Sequence, residues 1–194
     1  LYTHYAYDAR GNLTRHTDPS GAVTLHSYDA NDNLLSRTDA LGHSWSNTYD
    51  SKHNLITVTS PTGKVSQMAY NAKGQITSTT DANGHVTAYT HDAFGNTSTV
   101  TDPMGQVTRF DYSTTGLDMA SQTDPNGNVT QFSYDQNRRL LRVTHPDASY
   151  HENIYDACAL VAVHDENGHT TTLSRDKLLR EVAVTSPNGA VTSR

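Results

Sequence analysis

Apolar residues return in fixed slots along this chain, most of them 21 residues apart. Val23, Val65, Val86, Val107, Val129 and Val191 share one slot, and Thr24, Thr87, Thr108 and Thr130 share the next. Successive residues of a strand point to opposite faces, so these two sets face apart. Tyr89, Phe110 and Phe132 follow the Thr slot by two residues, and a recurring tyrosine follows by two more. One face is thereby predicted to carry a ladder of Thr, aromatic and Tyr side chains. In the preceding stretch Leu13, Leu34, Leu55, Ile76 and Leu140 recur, and Val58, Val100, Val143, Val163 and Val184 recur three residues after that slot. The odd offset predicts opposite faces unless a bulge intervenes, which leaves both faces partly apolar and partly polar. Such a pattern suits a single curved sheet whose hairpins support one another better than two sheets over a deep core. Nowhere do Gly-free apolar positions keep helical spacing for three turns, so no helix is predicted.

Two kinds of turn punctuate the slots. The first is Thr17-Asp18-Pro19-Ser20-Gly21, which returns at Thr38-Asp39, Thr59-Ser60-Pro61, Thr80-Asp81 with Gly84, Thr101-Asp102-Pro103-Met104-Gly105 and Thr123-Asp124-Pro125-Asn126-Gly127. A worn copy, Thr144-His145-Pro146-Asp147-Ala148, is followed by copies ending in Gly168 and Gly189. All six prolines sit in this motif, and eight of the twelve glycines lie at its end. Pro presets φ for the second position of a type I turn, Asp or Ser before it bonds the turn backbone, and Gly takes positive φ. A type I turn closed by a left-handed Gly is a common bulged hairpin connection.

The second turn follows a tyrosine marker. Tyr7, Tyr28, Tyr49 and Tyr70 are spaced by 21 residues; His91 takes the next place, then Tyr112, Tyr134 and Tyr155. Asp8, Asp29, Asp50, Asn71, Asp92, Asp135 and Asp156 come directly after it. Gly11, Gly74, Gly95 and Gly116 lie four residues after the marker, with Asp32, His53, Arg138 and Ala159 in that slot elsewhere. Repeats therefore run 7–27, 28–48, 49–69, 70–90, 91–111, 112–133, 134–154 and 155–174, with a partial one from 175. In the first copy the strands are predicted at Asn12 to Thr17 and Ala22 to Tyr28. The longer copy has its extra residue near Leu117-Asp118, read as a bulge, and the 155–174 copy is one residue short near Cys158. The whole, 1–194, reads as one continuous all-β array of about nine hairpins. The flanks, Leu1 to Ala6 and Val191 to Arg194, read as parts of further repeats, so the chain is expected to be an excerpt of a longer array. Cut sheet edges would then favour association between copies.

Composition narrows the function classes. A formal charge of −6 with no Lys/Arg run argues against a nucleic-acid partner or an anionic membrane. One cysteine, Cys158, permits no internal disulfide and no thiolate metal cluster. No apolar run approaches the roughly 20 residues of a membrane span, and no signal peptide opens the sequence.

The combined pattern Tyr-Asp-x-x-Gly-x-Leu-x-x-x-Thr-Asp-x-x-Gly-x-Val-Thr, in about eight and a half copies, resembles the YD repeat of Rhs proteins, insecticidal toxin complexes and teneurins. The resemblance implies a long β-sheet strip spiralling into a hollow shell, which in Rhs proteins and toxin complexes encloses a toxin. It also implies a bacterial, secreted or surface-bound setting, with the remaining repeats and an enclosed toxin domain as partners. Carbohydrate binding is a further association of such repeats. The family's core-ending motif, Asp-Pro-x-Gly-Leu, is not matched, because Gly105 is followed by Gln106 and Gly127 by Asn128. Self-cleavage and toxin activity are therefore not carried over.

Candidate chemistry is thin. The eleven histidines, His4, His16, His26, His43, His53, His85, His91, His145, His151, His164 and His169, read as scattered over different slots without metal-ligand spacing. Asp81-Ala82-Asn83-Gly84 lacks the further ligands and closing Glu of a calcium loop. No Gly-x-Ser-x-Gly elbow is present. Cys158 reads as a strand residue, the sequons at Asn12, Asn96 and Asn128 as chance in a Thr-rich chain, and the marker tyrosines as structural rather than sugar-stacking. The expectation is a non-enzymatic shell segment without cofactor; the rival is a repeat module that binds extracellular glycans or protein.

Overall fold

The computed structural model describes residues 2–193, so the expectations for Leu1 and Arg194 lie outside the described residues. The strands are β1 (His4–Tyr7), β2 (Leu13–Thr17), β3 (Val23–Tyr28), β4 (Leu34–Thr38), β5 (Ser44–Tyr49), β6 (Leu55–Thr59), β7 (Val65–Tyr70), β8 (Ile76–Thr80) and β9 (Val86–His91). They continue as β10 (Thr97–Thr101), β11 (Val107–Tyr112), β12 (Met119–Thr123), β13 (Val129–Tyr134), β14 (Leu140–Thr144), β15 (Tyr150–Tyr155), β16 (Leu160–His164), β17 (Thr170–Arg175), β18 (Glu181–Thr185) and β19 (Val191–Ser193). All nineteen belong to an antiparallel sheet, and no helix occurs among the described residues. The chain forms two compact units, Leu1–Thr90 with Val100–Gly105, and His91–Thr99 with Gln106–Arg194. In the first unit, neighbouring strands from β1 to β9 pair in sequence order. In the second, β11 to β19 do the same.

The strands start one residue later than the sequence pattern suggests, at Leu13 and Val23. Asn12 and Ala22 belong to the turns instead, because their carbonyls accept the closing bonds from Asp8 N (2.9 Å) and Asp18 N (3.0 Å).

The distribution of apolar groups between the faces differs from the sequence expectation. Strands β1, β3, β5, β7, β11, β13, β15 and β17, which end in the marker slot, each pair with the next through a bulge. Tyr49 lies opposite Leu55, yet Thr48 lies opposite Thr57, so Ile56 is an extra residue. Leu35, Thr77, Leu141 and Val182 are the extra residues of equivalent hairpins. The bulge turns the offset of three into a same-face relation. Leu140 lies opposite Tyr134 and Val143 opposite Phe132, and Phe132 and Tyr134 are two residues apart on one face. Leu, Val, aromatic and Tyr slots therefore share a single face. The other face carries short polar pairs such as Ser27 Oγ–Ser36 Oγ and Thr48 Oγ1–Thr57 Oγ1, both at 2.6 Å, with Val at its turn-proximal end. Exposure follows this split: in β13, Thr130, Phe132 and Tyr134 are half-buried while Val129, Gln131 and Ser133 are exposed.

Even the apolar face is only half-covered. Among the described residues Ala162, at 8% exposure, is the one buried apolar side chain. With so little sealed apolar area, the fold rests on ladder bonds, turn bonds and cross-strand pairs, each contributing a small increment.

Candidate functional site

The residues singled out by the repeat converge on its turns. Gly21 N donates to Asp18 O at 3.0 Å, the bond of a type I turn, and Gly21 stands at φ +90°. Asp18 Oδ1 then accepts the Ser20 and Ala22 amides at 2.8 and 3.0 Å. The Tyr-Asp turn repeats this geometry, with Asp8 Oδ1 taking the amides of Arg10 and Asn12, both at 2.9 Å. Both turn types are thus one conformation built twice per repeat. Gly11, Gly21, Gly74, Gly84, Gly105 and Gly127 all hold positive φ in the same slot. Pro19, Pro103 and Pro125 each stand between the turn Asp and the residue whose amide that Asp accepts, where a missing N–H costs the turn nothing.

A third acceptor is used as well. The second carboxylate oxygen bonds the side chain four residues on: Asn12 at Asp8, Asn33 at Asp29, Asn54 at Asp50, Asn128 at Asp124 and Arg139 at Asp135. His43, His85 and His169 fill that same slot, each placing Nδ1 within 2.9–3.1 Å of an Asp oxygen. The histidines are therefore less scattered than they read; three share the position after the turn Gly. That signal was present in the sequence as an Asp-x-x-Gly-His spacing. These bonds hold the turn carboxylates below the usual range. Asp81 is lowered to about 2, first by the His85 side chain, then by the His85 and Asn83 amides. Asp8 is lowered chiefly by the Asn12 amide and Asp50 by the Asn54 side chain.

The marker tyrosine has a specific partner. Tyr28, Tyr49, Tyr70 and Tyr112 donate their hydroxyls to the carbonyls of Leu13, Leu34, Leu55 and Thr97, at 2.9–3.2 Å. The acceptor is the residue at the bulge, where the ladder is disturbed and a carbonyl needs another donor. This requirement for a hydroxyl explains why Tyr outnumbers Phe. Arg175, in the marker slot of the last repeat, reaches Leu160 O with Nε at 3.2 Å. At Tyr155 the neighbouring Asn153 takes Leu140 O instead, at 3.0 Å. Burial, and then nearby Asp118, raise the pKa of Tyr134.

The irregular copies follow the same logic. The extra residue of the longer copy stretches the turn, so that Ser113 N closes on Asp118 O at 2.7 Å and Leu117 projects 59% exposed. In the short copy the left-handed position is deleted. Asp156 N closes on Ala159 O at 3.0 Å, and the Asp156 carboxylate takes the amides of Cys158 and Ala159, both at 2.7 Å. Ala159 therefore does not fill the glycine slot, whereas Leu179 does, at φ +63°. Cys158 lies exposed in this turn and not in a strand. In the worn copy Ala148 takes φ +67°, and Asp147 replaces the lost carboxylate by accepting Ser149 N at 3.0 Å. A left-handed Ala costs about 1–2 kcal/mol, partly offset by the greater freedom of Gly when unfolded. Ala148→Gly is accordingly expected to raise stability by about 0.5–1 kcal/mol, read as a higher urea midpoint; a lower midpoint would contradict the assigned strain.

Among the described residues no group of three or more His, Cys, Asp or Glu is placed to hold a metal ion. An unrepeated charged row crosses β14, β15 and β16 on the hydroxyl face. There Arg142 Nη2 lies 2.7 Å from Glu152 Oε1 and His164 Nδ1 lies 3.6 Å from Glu152 Oε2. These ion pairs join side chains on three neighbouring strands, so the row pins strand register. Grooves on the second unit are shallow: one of about 390 Å³ is bordered by Gln131, Thr144, His145 and Pro146. Among the described residues no helix is long and apolar enough to cross a membrane.

Comparison with known proteins agrees with this picture. Residues 1–23, 7–44, 28–65, 70–103 and 118–150 match the family model described as RHS Repeat, together more than half of the chain. The chain belongs to the RHS repeat family. A search of the curated proteins gives no match. Among solved structures, the crystal structure of TcdB2-TccC3-TEV is similar with a TM-score of 0.56 and 14% identity, over 95% of this chain and 12% of that chain. A structure of the Photorhabdus luminescens Tc holotoxin pore is similar with a TM-score of 0.53 and 14% identity, over 95% of this chain and 14% of that chain. At such identity the likeness shows the fold alone, and this chain spans only about an eighth of those chains.

Proposed function

We propose that this chain is a structural, non-catalytic wall segment of a longer Rhs-type shell that encloses or carries a toxin or effector. The observation that carries the reading is the uniformity of the array. The same turn, bulge and Tyr-to-carbonyl bond recur from repeat to repeat, with side chains spent on building the sheet. The match to RHS repeats and the likeness to two Tc toxin structures support it. On this reading residues 1–194 are one continuous array, its partners are the neighbouring repeats and an enclosed toxin domain, and the protein is bacterial and secreted or surface-bound. The motif residues then serve as construction elements, with Asp and Gly shaping turns and Tyr closing bulges.

Protease protection tests the proposal. In the protein carrying the complete array, an enclosed domain is expected to resist a protease that cuts the same domain readily when it is produced alone. Equal cleavage rates in the two settings would overturn enclosure.

A further inference from the structure

The first five strands carry no Asp or Glu, although the chain as a whole is acidic at −6. On their tyrosine face they instead gather basic and aromatic groups. Tyr5 lies opposite His16, and their rings stack with centroids 5.1 Å apart. His26 lies opposite Arg37, and Arg37 opposite Trp45, with the guanidinium 5.3 Å from the indole centroid. The slots of His16 and Arg37 hold Val58 and Thr79 in the following repeats, and the slot of His26 holds Met68 and Tyr89. The row is therefore peculiar to this end of the first unit and is no requirement of the repeat.

Its polar groups lack protein partners. Arg37 is exposed and makes no hydrogen bond or ion pair among the described residues, so its donors are spent on nothing but the stack with Trp45. The Nδ1 atom of His26 is buried and without a hydrogen-bond partner. Burial, then Arg37, then His16 hold His26 below the usual imidazole range, so uncompensated positive charge in this row already disfavours adding more. Cations placed together without a counter-charge are a standing cost that a bound anion relieves. A guanidinium held over an aromatic ring keeps its N–H donors available to an oxyanion.

We propose that Tyr5, His16, His26, Arg37 and Trp45 form a binding site for a doubly charged tetrahedral oxyanion of the sulfate–phosphate class. Arg37 supplies the fixed charge and the directional donors. His26 adds charge as it takes up a proton, while Tyr5 and Trp45 hold His16 and Arg37 in place. An Arg beside one imidazole, with a second imidazole on the next strand but one, matches a dianion better than a single carboxylate. No acidic side chain occurs on β1 to β5 to compete for the site. This inference goes beyond the shell reading and stands or falls separately from it.

Trp45 is the only tryptophan, so its emission reports on the site directly. Titration with sodium sulfate at ionic strength held constant with chloride is expected to give a saturable change, and inorganic phosphate a similar one. Acetate should bind about ten-fold or more weakly, and Arg37→Gln should weaken sulfate to the same extent. Sulfate stays doubly charged throughout, so its affinity should rise several-fold as pH falls from about 7.5 to about 5.5, and His26→Asn should flatten that rise. Calorimetry gives a second readout for Arg37→Gln, which alters the surroundings of Trp45 itself. A response that vanishes at matched ionic strength overturns the site. So does acetate binding as tightly as sulfate, or calorimetric affinity unchanged by Arg37→Gln in a chain whose circular dichroism is normal.

Discussion

Lowering the pH from about 5 towards about 2 is expected to unfold this protein progressively, with a loss of strand signal steeper than a chain of ordinary exposed carboxylates would show. The reason lies in the turns. Asp8, Asp18, Asp29, Asp50, Asp81, Asp124, Asp135, Asp147, Asp156 and Asp176 all have pKa values lowered in the folded state. Each is held by bonds that only the charged form accepts fully, such as the Asn33 side chain at Asp29 and the Arg139 amide at Asp135. A folded pKa below the unfolded one means that the unfolded chain binds protons first as acid is added. The stabilisation is fully present above the unfolded value near 3.8 and disappears as pH falls through the folded value, about 2 for Asp81. These groups sit in surface turns, half-buried or exposed, so each contribution is small; the size of the effect comes from their number.

Asn71 supplies the control. Its uncharged Oδ1 takes the Lys73 and Gln75 amides at 2.9 and 3.1 Å, so the turn closes without a carboxylate. A chain in which several turn Asp residues are replaced by Asn should keep its far-UV circular dichroism to lower pH than the parent. If the parent spectrum is unchanged at about pH 2, the turn carboxylates contribute nothing to stability.

How far the sequence could be read depends on where the information sits. Turns were legible because Pro presets one residue's φ, Gly admits positive φ at another, and Asp acts on amides two and four residues on, all within a short window. The bulge was not. It is set by pairing between Tyr49 and Leu55 across a hairpin, and no residue type marks it. Ile56, Thr77, Leu141 and Val182 have only β-propensity in common. Without it, alternation sends Leu140 and Val143 to opposite faces, and the division into an apolar face and a hydroxyl face is lost. The Asp–His pairs at His43, His85 and His169 were visible as spacing but masked by eight other histidines. The row of His16, His26, Arg37 and Trp45 needed the register itself, because its members are separated by 8 to 11 residues in sequence and meet only across strands.

Contacts between one repeat's turn and the next are a further layer that no local pattern records, and the strongest single-residue effect is expected there. Gly116 and Phe94 lie in the same turn region of successive repeats. A Cβ on Gly116 would run into Phe94 Cγ and stand 2.5 Å from Cδ2 and 2.7 Å from Cβ. Rotating the Phe94 ring removes the first two clashes but not the third, because Cβ does not move about χ1. Backbone must shift, and the shift strains the bond from Asn96 Nδ2 to Gly116 O at 2.7 Å. Gly116 also has φ +71°, where any side chain is disfavoured. Gly116→Ala is therefore expected to cost about 2–4 kcal/mol, roughly 1 from the left-handed conformation and the rest from overpacking. Gly105 separates the two contributions. It has φ +80°, and a methyl added there would meet nothing within 4 Å, so Gly105→Ala should cost only about 1 kcal/mol in urea unfolding. Adding Phe94→Ala to Gly116→Ala should recover most of the difference between the two, since Phe94 is 63% exposed and loses little by truncation. Equal costs at Gly116 and Gly105 would show that the two turns do not pack on one another. Unequal costs that Phe94→Ala leaves untouched would place the strain in the turn backbone, away from the ring.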